Sequence, residues 1–176
     1  MPETDPPLGV ASGTTLVRDY DPRWREEYEH EAGALRALLG EHALEIEHVG
    51  STSVPGLAAK PLIDMALVFP DREQLEVARE RLAAAGYDDR GDSGDSGGVI
   101  VAKGPKSGRT HVLHLVEISD PQWHRWLAFR DALKRDHGRR DEYGALKKEL
   151  AARYPLDRPA YVAGKRDFIR KTVDSN

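Results

Sequence analysis

Residues 45–64, EIEHVGSTSVPGLAAKPLID, decide how this chain folds. With Leu44 in front, Leu44, Ile46 and His48 alternate against Glu45, Glu47 and Val49, the period of a strand that runs straight into Gly50-Ser51. The segment STSVPGLAAKP then reads as a tight turn with at most a short helix. The run LIDMALV at 62–68 is apolar enough for the centre of a sheet. A strand ending in Gly-Ser exposes backbone N–H groups and a hydroxyl where no side chain blocks approach. Ser51, Thr52 and Ser53 together make a cradle for phosphate oxygens, and Lys60 supplies positive charge nearby. Asp64 is an acid in an otherwise apolar strand, a costly placement unless it is paired, metal-bound or at an exposed end. A plain turn followed by a strand-end acid fits the same residues, because short motifs match often by chance.

Outward from this stretch the pattern is that of one domain. Upstream, Asp21-Pro22 opens a helix whose Trp24, Tyr28, Ala32, Leu35 and Leu39 form one buried face, stopped by Gly40. Downstream, Asp71 with Gln74 is a capping-box pattern for a helix carrying Leu75, Ala78, Leu82 and Ala85, closed by Gly86. Residues 88–98 read as a mobile loop, followed by a short strand at 99–102 and a further strand at 110–118. Asp92 and Asp95 lack the ligand spacing of an EF-hand, so this loop is not read as a calcium site. The remainder is helical: one helix from Ser119-Asp120-Pro121, one over 139–154, and one from Asp157 and Pro159 to about Val173. The order predicts an α+β fold, a small mixed sheet covered by helices with a helical C-terminal part. Residues 1–13 read as a disordered tail and 14–176 as a single domain.

Composition limits the function. The chain has 176 residues, 39% hydrophobic and 32% charged, with a net charge of −4. Such a balance gives no general attraction to nucleic acid or anionic membrane, so any anion site must be a local patch, and nucleic acid is not expected as a partner. The absence of cysteine excludes disulfides, thiolate metal sites and thiol nucleophiles. The first residues lack a basic start and an apolar run, and no stretch approaches a membrane span, so the expected location is the cytoplasm.

The run at 45–64 resembles the signature of the GrpB family. RDYDPRW near the start, RTHVLHLVE, PQWHRWLAFRDAL, and the Tyr161, Lys165, Phe168, Ile169 pattern agree with it over about residues 16–172. The resemblance implies the nucleotidyltransferase fold. Active members of that superfamily bind nucleotide phosphates at the strand-end Gly-Ser and hold Mg2+ on two acids spaced Asp-x-Asp, often with a third from a neighbouring strand. It also implies a link to dephospho-CoA kinase, to which such domains are fused as accessory or folding modules. Carried over by position, Gly50 and Ser51 match the phosphate motif and Asp64 the first metal acid. Ala66 stands where the second acid belongs and cannot bind metal.

Further candidates follow. Alternation puts His111, Leu113, Leu115 and Glu117 on one face of their strand and Val112, His114 and Val116 on the other. Glu117 is the candidate second metal and catalytic acid if its face meets Asp64; His114 competes, or is a hydrogen-bonded, half-buried histidine. Glu47 and His48 lie close enough to Gly50 to reach a ligand. Arg109 at the mouth of this strand and Lys165, on a helical face with Tyr161, are candidate phosphate ligands. Arg130 is a further site candidate with Asp131 as a partner. Trp123 and Trp126 read as core packing, and Lys147, Lys148, Lys171 and the Arg139-Arg140 pair as solvated helix surface. Two functions result: a Mg2+-dependent nucleotidyltransferase acting on a nucleoside triphosphate, or a non-catalytic module that binds a coenzyme-like phosphate ligand and assists a partner kinase.

Overall fold

Val49 and Asp64 face each other across two neighbouring strands, and the sheet extends from that pair. The computed structural model describes residues 6–94 and 97–175. Its five strands are β1 (Glu45–Val49), β2 (Ile63–Phe69), β3 (Asp88–Asp92), β4 (Val99–Lys103) and β5 (His111–Glu117), in the spatial order β1-β2-β5-β4-β3. Only β2 and β5 run parallel; the other neighbours are antiparallel. Five α-helices accompany them: α1 (Arg23–Leu39), α2 (Arg72–Ala84), α3 (Gln122–Arg135), α4 (His137–Arg153) and α5 (Arg158–Asp174). The fold is α+β, a mixed sheet with a helical C-terminal part.

The two faces of the sheet have different jobs. Ile63, Met65, Leu67 and Phe69 of β2, with Leu113 and Leu115 of β5, pack under Trp24, Leu35 and Leu39 of α1 and Leu75 and Leu82 of α2. These side chains are almost wholly removed from water, and each contributes about 1.5–3 kcal/mol of transfer free energy. On the opposite face, Val68 and Val116 lie under Trp123, Trp126 and Leu127 of α3, so the tryptophans are core, as the helical stripe implied. A separate apolar cluster fastens Val54 and Leu57, just past the Gly-Ser turn, to Phe129, Leu133, Tyr143 and Phe168 of the last three helices. The Asp64 end of that second face is left as a cleft.

Helix starts follow their sequence signals. Asp71 Oδ1 accepts from the Gln74 amide at 2.9 Å, and Asp157 Oδ1 from Ala160 at 3.0 Å. Asp136 does the same for Arg139 at 2.9 Å, which starts α4 at His137, two residues earlier than its apolar pattern shows. The free edge of β1 is protected by side chains: Tyr28 Oη donates to the Ile46 carbonyl at 3.0 Å and Arg130 Nη1 to the His48 carbonyl at 3.0 Å.

Two expectations are corrected. Residues 88–92, read as part of a loop, form β3, with a bulge between Asp89 and Gly91 that uses the positive φ of Gly91. The described part of the expected tail, residues 6–13, is packed rather than loose. Leu8 and Val10 are buried, Val10 and Arg109 exchange both backbone hydrogen bonds, and the Trp24 indole donates to the Pro7 carbonyl at 2.8 Å. Residues 1–5 and Asp95 of the rejected calcium reading lie outside the described residues. Among the described residues, no helix is long and apolar enough to cross a membrane.

Candidate functional site

Gly50 has φ 71°, where a side chain is disfavoured, and a Cβ there would come within 2.8 Å of Asp64 Oδ2. The glycine therefore serves two ends, turning the chain out of β1 and leaving room for the carboxylate. Ser51–Ser53 is one 3-10 turn. Ser53 Oγ donates to the Gly50 carbonyl at 2.5 Å. Thr52 Oγ1 donates to the Leu62 carbonyl at 3.3 Å. With its single proton so placed, Thr52 accepts from His48 Nε2 at 3.0 Å, which fixes that tautomer. Burial holds the His48 imidazole neutral, its pKa down at about 3, and its ring stacks on Tyr28 at 4.6 Å. Thr52, Ser53 and His48 thus build the turn, while the Ser51 side chain hydrogen-bonds Tyr143 at the wall of the adjoining cavity.

Asp64 is the only acid facing this turn from β2. Its Oδ1 lies 3.1 Å from His114 Nε2. The parallel β2–β5 register places Asp64 opposite Val112 and Ala66 opposite His114, so His114 shares the Asp64 face. The His114 ring rests on Trp126 at 5.0 Å, and its Nδ1 is buried without a partner.

Three lysines border one cavity with the carboxylate, and of these Lys60 and Lys165 interact with the Asp64 charge. Lys60, Lys147 and Lys165 line a cavity of about 90 Å³ with Ser51, Thr52, Asp64 and Tyr161. Burial, then repulsion from Lys60, brings the Lys165 pKa down to about 8, and its Nζ lies 4.5 Å from the Tyr161 ring centre. Burial and the charge of Arg158 lower Lys60 as well. Lys147 is 2% exposed; burial, then the Lys165 charge, pushes its pKa far below the usual lysine range. Its Nζ donates to the Ala58 carbonyl and sits 4.8 Å from the Tyr143 ring. The surface reading of Lys147 is corrected. The signal was present: Tyr143, Lys147 and Leu150 recur at helical spacing on the buried side of α4, as Tyr161 and Lys165 do on α5. The small cavity shares Lys60, Leu62 and Asp64 with a cleft of about 350 Å³ that has an apolar floor of Ile100, Ala102 and Val112. Arg90, Arg109 and Arg158 lie on its rim.

Other candidates are placed elsewhere. Glu117 pairs with Phe69 at the far end of β5, on the face opposite Asp64, and lines a separate pocket with Arg72 and Asp120. The expected convergence of Asp64 and Glu117 does not occur, because five residues of strand separate their registers and five is an odd number. Arg109 reaches the rim of the cleft, but its guanidinium already donates to the Asp88 carboxylate and the Gly104 carbonyl. Arg130 is held by Glu47 at 2.7 Å and by Asp131 at 2.8 Å, the partner expected from sequence.

The Mg2+ site implied by the resemblance needs several oxygen ligands around one point. Here Ala66 supplies none, Glu117 is on the wrong face, and His114 occupies one oxygen of Asp64. Among the described residues no three His, Asp or Glu side chains gather as a metal set. The donor set does not fit a two-carboxylate metal centre; the positive charge beside the turn comes from lysine.

Comparison with known proteins agrees with this architecture. Residues 14–175 match the model of the family described as GrpB protein. The chain is 32% identical to the glutamate-rich protein GrpB of Alkalihalophilus pseudofirmus, covering 95% of this chain and 98% of that one. It is 37% identical to YqkA of Bacillus subtilis over 89% of its own length but spans only 45% of YqkA. The crystal structure of GrpB from Enterococcus faecalis superposes with a TM-score of 0.82 at 38% identity, covering 91% of this chain and 96% of that one. A poly (U) polymerase with MgGTP bound superposes at 0.55 with 18% identity, over 77% of this chain and 44% of the polymerase, a likeness of fold. A dephospho-CoA kinase of Mycolicibacterium paratuberculosis is 29% identical over 85% of this chain and 43% of the kinase.

Proposed function

The chain belongs to the GrpB family, and from that premise we propose that it binds the phosphate chain of a nucleoside triphosphate or coenzyme-like ligand at the Gly50-Ser51 turn. The observation that carries this reading is the excess of amines in the small cavity, whose lining holds three lysines and one carboxylate. Buried cations without matching acids raise the free energy of the empty protein, and an anion in the cavity relieves it. In this reading Ser51 and Lys60 bind from the sheet side, and Lys147 and Lys165 from the helices. The apolar floor of the larger cleft takes the rest of the ligand.

Calorimetry with ATP, coenzyme A and inorganic triphosphate, with and without Mg2+, tests it. Binding should occur without metal, weaken at least tenfold in Lys165→Met, and be retained or strengthened in Asp64→Asn, which removes the opposing negative charge. Absence of binding by all three, or indifference to Lys165→Met, overturns it.

Nucleotidyl transfer is the second reading, favoured by the Asp64–His114 pair. An acceptor hydroxyl oxygen would bond to the α-phosphorus as the bond to pyrophosphate breaks, with Asp64 taking the hydroxyl proton. Pyrophosphate release from ATP that is lost in Asp64→Asn would select this reading over binding alone. The similarity to part of a dephospho-CoA kinase supports an accessory role beside such a kinase, measured by recovery of refolded kinase activity with the chain present.

A further inference from the structure

On the other side of the Ser51–Ser53 turn, α1 and α3 pass the free edge of β1 and leave a groove of about 480 Å³. Of the residues that line the small lysine cavity, it shares Thr52 alone, so the turn is a wall between two separate spaces. One side of the groove is aromatic and held in place. The Tyr28 ring is fixed by its stack on His48, 13° from parallel, and by its hydroxyl bond to the Ile46 carbonyl. Tyr20 is braced edge-on by Trp24 at 5.5 Å.

The other side is cationic. Arg130 and Lys134 stand one helical turn apart on α3. The acids of the groove already have partners: Glu47 bonds Arg130 at 2.7 Å and Glu29 bonds Arg25 at 2.9 Å. Among the described residues no carboxylate hydrogen-bonds the Lys134 amine; burial, then the neighbouring Arg130 charge, lowers its pKa against the weaker pull of Asp131 and Glu47. A cation without a hydrogen-bonded acid, in one groove with immobilised aromatic rings, matches a ligand with two features, a negative group and a flat ring.

We propose that this groove is a second ligand site, for a small anion carrying an aromatic ring. Its ring would lie against Tyr20 and Tyr28, and its carboxylate or phosphate would meet Lys134 and the outer edge of Arg130. The proposal does not depend on what occupies the lysine cavity, since the two spaces use different cations.

The test is an amide NMR titration of the full chain with 2-naphthoate. Saturable shifts should centre on Tyr28, Ser53 and Lys134. 2-Naphthol, which lacks the charge, and cyclohexanecarboxylate, which lacks the aromatic ring, should each bind about tenfold more weakly or worse. Lys134→Met should weaken naphthoate by a similar factor, Lys134→Arg should retain it, and Lys165→Met should leave it unchanged. Matched thermal unfolding shows that the variants are folded. Any of four results overturns the proposal: equal binding of naphthol and naphthoate, shifts that never saturate, shifts centred on Ser51 and Lys165, or wild-type affinity in Lys134→Met.

Discussion

Two polar clusters lie against opposite faces of the same sheet, and they are built on opposite principles. Behind the sheet, Glu31 is 1% exposed and accepts from the Tyr87 hydroxyl and from Lys103 Nζ at 2.5 Å. Burial opposes its ionisation most strongly, yet the bonds from Lys103 and Tyr87 together hold its carboxyl below the usual glutamate range. One acid meets one cation and one hydroxyl there, and the carboxylate is satisfied by the protein itself. In front of the sheet, Lys60, Lys147 and Lys165 line one cavity with a single Asp64 that is already shared with His114. A satisfied cluster secures a fold; an unsatisfied one stores a requirement that an outside molecule can meet.

Mutation distinguishes them most directly by the sign of the stability change. Glu31→Ala strands the Tyr87 hydroxyl and Lys103 and should destabilise the protein by about 3 kcal/mol, read from urea unfolding. At the front, Gly50→Ala forces an unfavourable φ and a Cβ against Asp64; it should cost about 2 kcal/mol and abolish triphosphate binding, measured by the same unfolding and by calorimetry. Lys165→Met should go the other way, raising stability by about 1 kcal/mol while weakening the ligand, because it removes a buried charge that lacks a matching acid. A loss of stability in Lys165→Met would erase the contrast between the clusters.

pH sharpens the same comparison. The Lys165 pKa is about 8 in the folded chain against an ordinary 10.5, so between these values the unfolded chain holds more protons. Its contribution to stability therefore rises from pH 8 to 10.5, and affinity for an anion falls as pH passes about 8; both trends should vanish in Lys165→Met. Glu31 behaves oppositely with respect to acid: its contribution is present above about pH 4.5 and is lost as pH falls through its lowered folded value. The smallest expected effect is at Glu117, where Glu117→Gln should leave triphosphate binding unchanged and stability within about 0.5 kcal/mol.

Much of the fold was legible in the chain. Alternation at 44–49, the apolar run at 62–68 and the caps at Asp71 and Asp157 each specified an element, and Gly50-Ser51 and Asp64, singled out in the sequence, lie side by side in the fold. The errors share one cause. The segment 6–13 reads as loose from sequence because its partners, Pro61 and Arg109, are far away in the chain. Lys147 reads as surface from sequence because whether a helical face is buried depends on what docks on it, here the chain at Ala58.

By itself, the sequence determined local backbone preferences: where strands alternate, where helices are capped, and that Gly50 can turn where another residue would strain. It also fixed which chemical groups exist, including the loss of the second acid at Ala66. Only the tertiary structure decided which groups meet. Strand alternation divides β5 into two faces, but the parallel register with β2 sets His114, and not Glu117, beside Asp64. Likewise, the docking of α4 and α5 over the turn gathers three lysines from distant parts of the chain into one cavity with a single carboxylate. Local sequence fixes direction and period, whereas convergence depends on packing between segments that no short window contains.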